Sequence, residues 1–162
     1  MSAPRREVRH AGLIALRVRG RWAGALIEGP SGVGKSDLAL RALEAGFRLV
    51  TDDRTILLAS GVGLYGRAPD PLVGLIEVRG LGVATRTTLP QAEIILVVRC
   101  ENDRAAIERI PELARELILG VEIPRLHLCP RDFSAPAKLR QALLDLGGGR
   151  AKAYQAPCAP PG

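Results

Sequence analysis

The chain has 162 residues, 47% of them apolar, 25% charged and only 3% aromatic, with a formal net charge of +6. That length suits one domain with a sizeable core of Leu, Val, Ile and Ala. Its 23 Lys and Arg are scattered, with five aromatic residues to interleave with them, so a nucleic-acid surface is not expected.

Apolar runs of about five residues fall well short of the roughly 20 that a membrane span needs. Cys100, Cys129 and Cys158 lie far apart and form no metal-type or redox pair. The basic start MSAPRREVRH leads into no apolar h-region. A soluble cytoplasmic protein is the expectation.

The elements follow in chain order. Gly12 to Val18 reads as a strand, and Ala23 to Glu28 as a second, with Gly20 and Arg21 turning between them. From Lys35 to Ala45, Leu38, Ala39, Ala42 and Leu43 recur at helical spacing, and Gly46 closes the helix as a left-handed cap. Phe47 to Thr51 is a short strand ending in Asp52 and Asp53, and a hairpin follows over Thr55–Ala59 and Val62–Tyr65. Pro69, Asp70 and Pro71 start a short irregular or helical piece. Leu75 to Arg79 reads as strand, broken by Gly80 and Gly82, and Glu93 to Arg99 as a fully buried strand. Ile107 to Ile118 is weakly helical around Pro111, and a strand covers Val121 to Leu128. Ser134 caps a final helix over Pro136–Leu146. The domain therefore occupies 1–147, and the Gly/Pro-rich 148–162 reads as a disordered tail.

The stretch GPSGVGKS, residues Gly29, Pro30, Ser31, Gly32, Val33, Gly34, Lys35 and Ser36, has the spacing of a phosphate-binding loop. Its glycines turn backbone N–H groups toward an anion, and the helix behind adds its positive end. Lys35 would reach the β- and γ-phosphates, and the Ser36 hydroxyl would ligate magnesium. The loop sits between an apolar strand and an amphipathic helix, the context that such a site requires.

Asp52 and Asp53 lie 17 and 18 residues after Lys35. Neighbours on a strand point to opposite sides, so the pair has two jobs. One holds magnesium, and the other accepts a proton from an incoming hydroxyl; a solvated turn is the alternative. Glu77, within an apolar strand, is either the exposed face of an edge or part of the metal shell. His10 and His127 are the only histidines, and a structural or surface role is the default for each.

Together GPSGVGKSDLAL, GFRLVTDD and GRAPDPLVGLIEVRGLGV resemble the catalytic domain of HPr kinase/phosphorylase, in order from about Gly24 to Val83. The C-terminal SAPAKLRQAL is similar to the short form known from alphaproteobacteria, which lacks the family's N-terminal domain. The resemblance implies an α/β fold with a mixed-sheet, phosphate-loop core like that of phosphoenolpyruvate carboxykinase. It implies an ATP- and Mg2+-dependent serine kinase acting on the phosphocarrier HPr or a nitrogen-related paralogue, with phosphorylase activity in reverse, assembled as a homohexamer. It makes Asp53 the general base, Asp52 and Glu77 magnesium ligands with Ser36, and His10 the active histidine. For the late catalytic arginine that the resemblance also implies, Arg109 is the choice, with Arg104 behind it. The family's P-x-R-P-G-R loop is represented only by Pro130 and Arg131 of CPRDFSAP, so the kinase direction is the better supported. The competing readings are a small-molecule kinase, and a regulatory protein that binds ATP without turnover.

Overall fold

The computed structural model describes residues 5–147; the tail expected over 148–162 lies outside the described residues, as does Cys158. The described chain runs through β1 (Arg6–Arg9), β2 (Gly12–Val18), β3 (Arg21–Glu28) and α1 (Lys35–Glu44). Next come β4 (Arg48–Thr51), β5 (Thr55–Ser60) and β6 (Gly63–Arg67). A separate two-stranded sheet pairs β7 (Leu75–Val78) with β8 (Gly82–Thr85). β9 (Ala92–Cys100), the hairpin of β10 (Ala114–Ile118) and β11 (Val121–Leu128), and α2 (Ala135–Gly147) follow.

The main sheet is mixed and curls until it meets itself. β2 pairs β3, β3 pairs β9, β9 pairs β6, and β6 pairs β5. β5 then pairs β1, while β4 pairs β2. Arg9 stands opposite Thr55 and Leu13 opposite Thr51, so the register is the same on both sides of a short gap. In effect β1 and β2 form one long strand that pairs β4 and β5 as another. The ladder between them lapses around His10–Gly12 and Asp52–Arg54, with a register shift just beyond at Leu13/Ile14, and this seam closes the ring.

Closure explains why β2 is buried along almost its whole length. Leu13 and Ala15 point inward, where they pack with Leu26, Leu57, Leu64 and Ile94. Ile14, Leu16 and Val18 point outward onto the layer formed by α1 and α2, so alternation supplies two cores from one strand. The ring is filled: a Cβ on Gly66 would lie 2.6 Å from Leu13 Cδ2 and 2.9 Å from Thr55 Cγ2.

α1 ends as its sequence predicts. Gly46 N–H bonds to Leu43 O and Phe47 N–H to Ala42 O, with buried Phe47 closing the motif. For α2 the carbonyl of Ser134 accepts from Lys138 N–H at 2.9 Å. The weak helix expected over 107–118 is corrected. A single 3-10 turn, Arg104–Ala106, precedes irregular chain through Pro111, and Ala114–Ile118 is a strand. Its period-two exposure fits a strand, and Leu119 and Gly120, both at positive φ, make a two-residue hairpin loop to β11. β1 and β8 were not expected: REVR and GVAT carry little apolar signal, and both strands are largely exposed.

Candidate active site

The phosphate loop leaves the end of β3, which is parallel to β9 as β9 is to β11. Gly29 has φ 152°, and a Cβ there would crowd Cys100 Cβ at 3.0 Å and Val33 Cγ1 at 3.1 Å, so a side chain would be strained. Val33, 3% exposed, plugs the loop into the core beneath it. Gly34 is the N-cap of α1, and its carbonyl accepts from Leu38 N–H at 2.9 Å. Lys35 Nζ donates to Gly29 O at 2.8 Å and Pro30 O at 2.9 Å, so its ammonium lies across the mouth of the loop.

The two aspartates do diverge. Asp52 is buried, accepting from Ser36 Oγ at 2.8 Å on one oxygen and from Glu77 N–H at 3.0 Å on the other. It therefore ties α1, β7 and the seam together. Asp53 turns outward at φ +67°, in the left-handed region that a non-glycine residue enters at a cost. The turn is tight: Arg54 N–H bonds to Asp52 O at 2.7 Å, and Thr51 Oγ1 donates to Arg54 O at 2.6 Å. Half-exposed Asp53 meets His10 Nε2 through Oδ1, and Arg54 Nε lies 4.0 Å from its Oδ2. Thr55 Oγ1 donates to Ala11 O at 2.7 Å, pinning the two crossings of the seam together beside that pair.

A strap over 129–133 passes above the start of α1. Arg41 donates to Pro130 O and, at 3.2 Å, to Asp132 O, and is itself steadied by Asp37 at 2.9 Å. Arg131 Nη2 donates to Gly32 O at 3.3 Å. Arg104 Nη2 lies 2.5 Å from Asp132 Oδ1.

The structure thus brings together the loop, Lys35, Ser36, Asp52, Asp53 and His10, and adds the backbone of Glu77. The Glu77 side chain is exposed. Arg109 is exposed and makes no hydrogen bond or ion pair among the described residues. His127 is exposed on β11 beside Arg99. Sequence reasoning missed Arg41 as the anchor of the strap; its only sequence signal is the i,i+4 spacing from Asp37.

The donor set suits a nucleotide and a hydrated magnesium ion. Among the described residues no three His, Cys, Asp or Glu cluster as a metal cage. Magnesium ordinarily keeps several waters and takes one or two protein oxygens plus phosphates. Ser36 with Asp52 behind it offers that kind of partial shell.

A model of the family described as HPr Serine kinase C-terminal domain matches residues 5–131. The HPr kinase/phosphorylase of Clostridium beijerinckii is 44% identical over 117 residues, covering 64% of this chain and 37% of that protein. That of Streptococcus thermophilus is 36% identical over 117 residues, covering 65% of this chain and 38% of that protein. The chain thus spans less than two fifths of the length of these curated relatives. The solved structure of the Hpr(Ser) kinase/phosphatase from Coxiella burnetii shares the fold, with TM-score 0.74 at 22% identity, covering 91% of this chain and 97% of that one. No helix among the described residues is long and apolar enough to cross a membrane.

Proposed function

The chain belongs to the HPr Serine kinase C-terminal domain family, and on that premise we propose that it is a cytoplasmic, ATP- and Mg2+-dependent protein kinase. Its acceptor is a serine of the phosphocarrier HPr or a nitrogen-related paralogue, with phosphorylase activity as the reverse step. The observation that carries this reading is Asp53, held outside the ladder, paired with His10, and adjacent to an aspartate that grips the phosphate loop's serine.

Magnesium, when bound, would supply positive charge that offsets the charge developing on the transferred phosphate. Ser36 and Asp52 would hold it, with Glu77 as a further ligand. The loop N–H groups and Lys35 fix the phosphates. His10 orients the Asp53 carboxylate, which takes the proton as the serine oxygen bonds to phosphorus and the bond to ADP breaks. In the reverse direction Asp53 returns that proton. Arg109 is the late arginine by resemblance; Arg131, in contact with Gly32, is the arginine that the geometry puts beside the loop. The assembly proposed, again by resemblance, is a homohexamer with HPr docking between subunits.

The test is direct. Purified protein, ATP, Mg2+ and HPr should give phosphoserine on HPr by mass spectrometry, and Asp53→Asn should bind ATP with transfer down on the order of 10²–10⁴-fold. ATP binding with no phosphoserine would instead mark a nucleotide sensor, and unimpaired transfer by Asp53→Asn would remove Asp53 as the base.

A further inference from the structure

Between the end of β1 and the phosphate loop lies an open cleft of about 620 Å³, with His10, Gly29 and Pro30 on its wall. Arg9 crosses this region. Its Nε lies 2.6 Å from Glu7 Oε1, and its Nη1 lies 2.8 Å from Glu28 Oε1 and 3.0 Å from Glu116 Oε1. Three carboxylates gathered on one guanidinium would repel one another without it, so Arg9 is the group that holds Glu7, Glu28 and Glu116 together. Two of them, Glu28 and Glu116, are largely buried.

What these partners connect is informative. Arg9 is the last paired residue of β1 before the ladder lapses, and His10 follows it directly. Glu28 is the last residue of β3 and immediately precedes Gly29, and its side chain is only 10% exposed. Its second oxygen faces Arg99 Nη2 at 3.7 Å. Pairing of Gly12 with Ile27 brings the two segments alongside each other. It leaves His10 itself without a ladder partner, and the Arg9–Glu28 bond supplies a constraint on the other side.

We propose that Arg9 is a positioning residue that sets the His10–Asp53 pair at a fixed distance from the phosphate loop by bridging to Glu28. This rests on the kinase reading above. A planar fork with fixed donor directions suits the task, because it holds two or three carboxylates at once. Lysine, a point charge, would keep the attraction and lose the directions. Arg9 makes no contact with Asp53, so its effect on the reaction passes through His10.

The experiment compares wild type with Arg9→Lys, Arg9→Ala and Glu28→Gln in the full chain, using two independent readouts. The first is the side-chain 15N spectrum of His10, which needs neither ATP nor an acceptor. The His10 Nε2 resonance should move in all three variants while His127 stays in place. The second is steady-state transfer to HPr. Arg9→Ala should lower kcat on the order of 10²-fold, the scale of a roughly 1 Å misplacement, with the KM for ATP nearly unchanged. Arg9→Lys should fall between it and wild type, and combining Arg9→Ala with Glu28→Gln should cost little more than Arg9→Ala alone. If Arg9→Ala does not fold, Arg9→Lys and Glu28→Gln decide the matter by the same two measurements. A His10 resonance unmoved in the folded variants overturns the proposal, as does a rise in KM for ATP with kcat intact. A wild-type protein that transfers nothing to HPr, with His10 still responding to Arg9, would overturn the kinase reading and leave the positioning of His10 by Arg9 established.

Discussion

Replacing Asp52 by two different residues separates its structural from its chemical task. Asp52 is 9% exposed, and its carboxylate accepts two bonds, from Ser36 Oγ at 2.8 Å and Glu77 N–H at 3.0 Å. Hydrogen bonds to a charged group each contribute about 1.5–3 kcal/mol, but Ser36 is partly exposed and recovers part of its loss through water. Asp52→Ala should therefore cost about 3 kcal/mol, lowering the thermal midpoint by roughly 6–12 °C for a domain of this size. In Asp52→Asn the amide oxygen still accepts from Glu77 N–H, and the amide NH2 donates to the Ser36 oxygen, so the cost should stay below about 1 kcal/mol. Only the charge is gone. The Mg2+ concentration for half-maximal transfer should then rise about 10–100-fold, the usual effect of losing a group that orients or backs a metal ligand. Scanning calorimetry and a magnesium titration of the transfer reaction read the two effects separately. Equal destabilisation by Asn and Ala, or an unchanged magnesium requirement in Asp52→Asn, would refute the assignment.

Three further outcomes are expected. Lys35→Ala should lower transfer on the order of 10²–10³-fold while melting close to wild type, because the carbonyls of Gly29 and Pro30 can turn to water; a collapsed melt would make Lys35 a structural pin. Gly66→Ala should cost about 1–3 kcal/mol in a urea titration, since its Cβ meets Leu13 and Thr55 inside the ring. An unshifted midpoint would show that the ring interior yields there. Burial pushes the Cys100 thiol up from 9.0 to about 12. A raised folded value means that the unfolded thiol ionises first, so this group's contribution is whole below pH 9 and is lost as pH climbs toward about 12. The wild-type minus Cys100→Ala stability difference should fall through that window by up to ~1.4 kcal/mol per pH unit, and a flat difference would contradict it.

The legible parts of the sequence were those in which local pattern and tertiary role agree. GPSGVGKS between an apolar strand and an amphipathic helix can be read without a fold, because the loop's function is local. The same holds for the Gly46 cap and for the β5–β6 hairpin. Ring closure was not legible, since it depends on β1–β2 and β4–β5 keeping one register across a gap, a relation between segments about 40 residues apart. REVR was not read as a strand because the signal of β1 lies in what Arg9 reaches, Glu28 and Glu116. β10 was read as weak helix because Leu119–Gly120 lacks the Asn-Gly or Asp-Gly dipeptide that marks a two-residue hairpin.

The seam also accounts for two adjacent aspartates with opposite fates. A residue inside a ladder commits its N–H and C=O to a neighbouring strand, and its side chain must take one face or the other. Where the ladder between β2 and β4 lapses before β5 begins, the backbone is free to enter the left-handed region at Asp53. Thr51 and Arg54 close the turn around it, so the strain is contained within four residues. Asp52 stays directed at the helix that carries the phosphate loop, while Asp53 is delivered to solvent beside His10. Restoring regular pairing across the seam would bury Asp53 or turn it away from His10. The break in the sheet is thus what allows one short strand end both to grip the loop through Asp52 and to present the Asp53 carboxylate to solvent beside His10, where the proposed function needs a base.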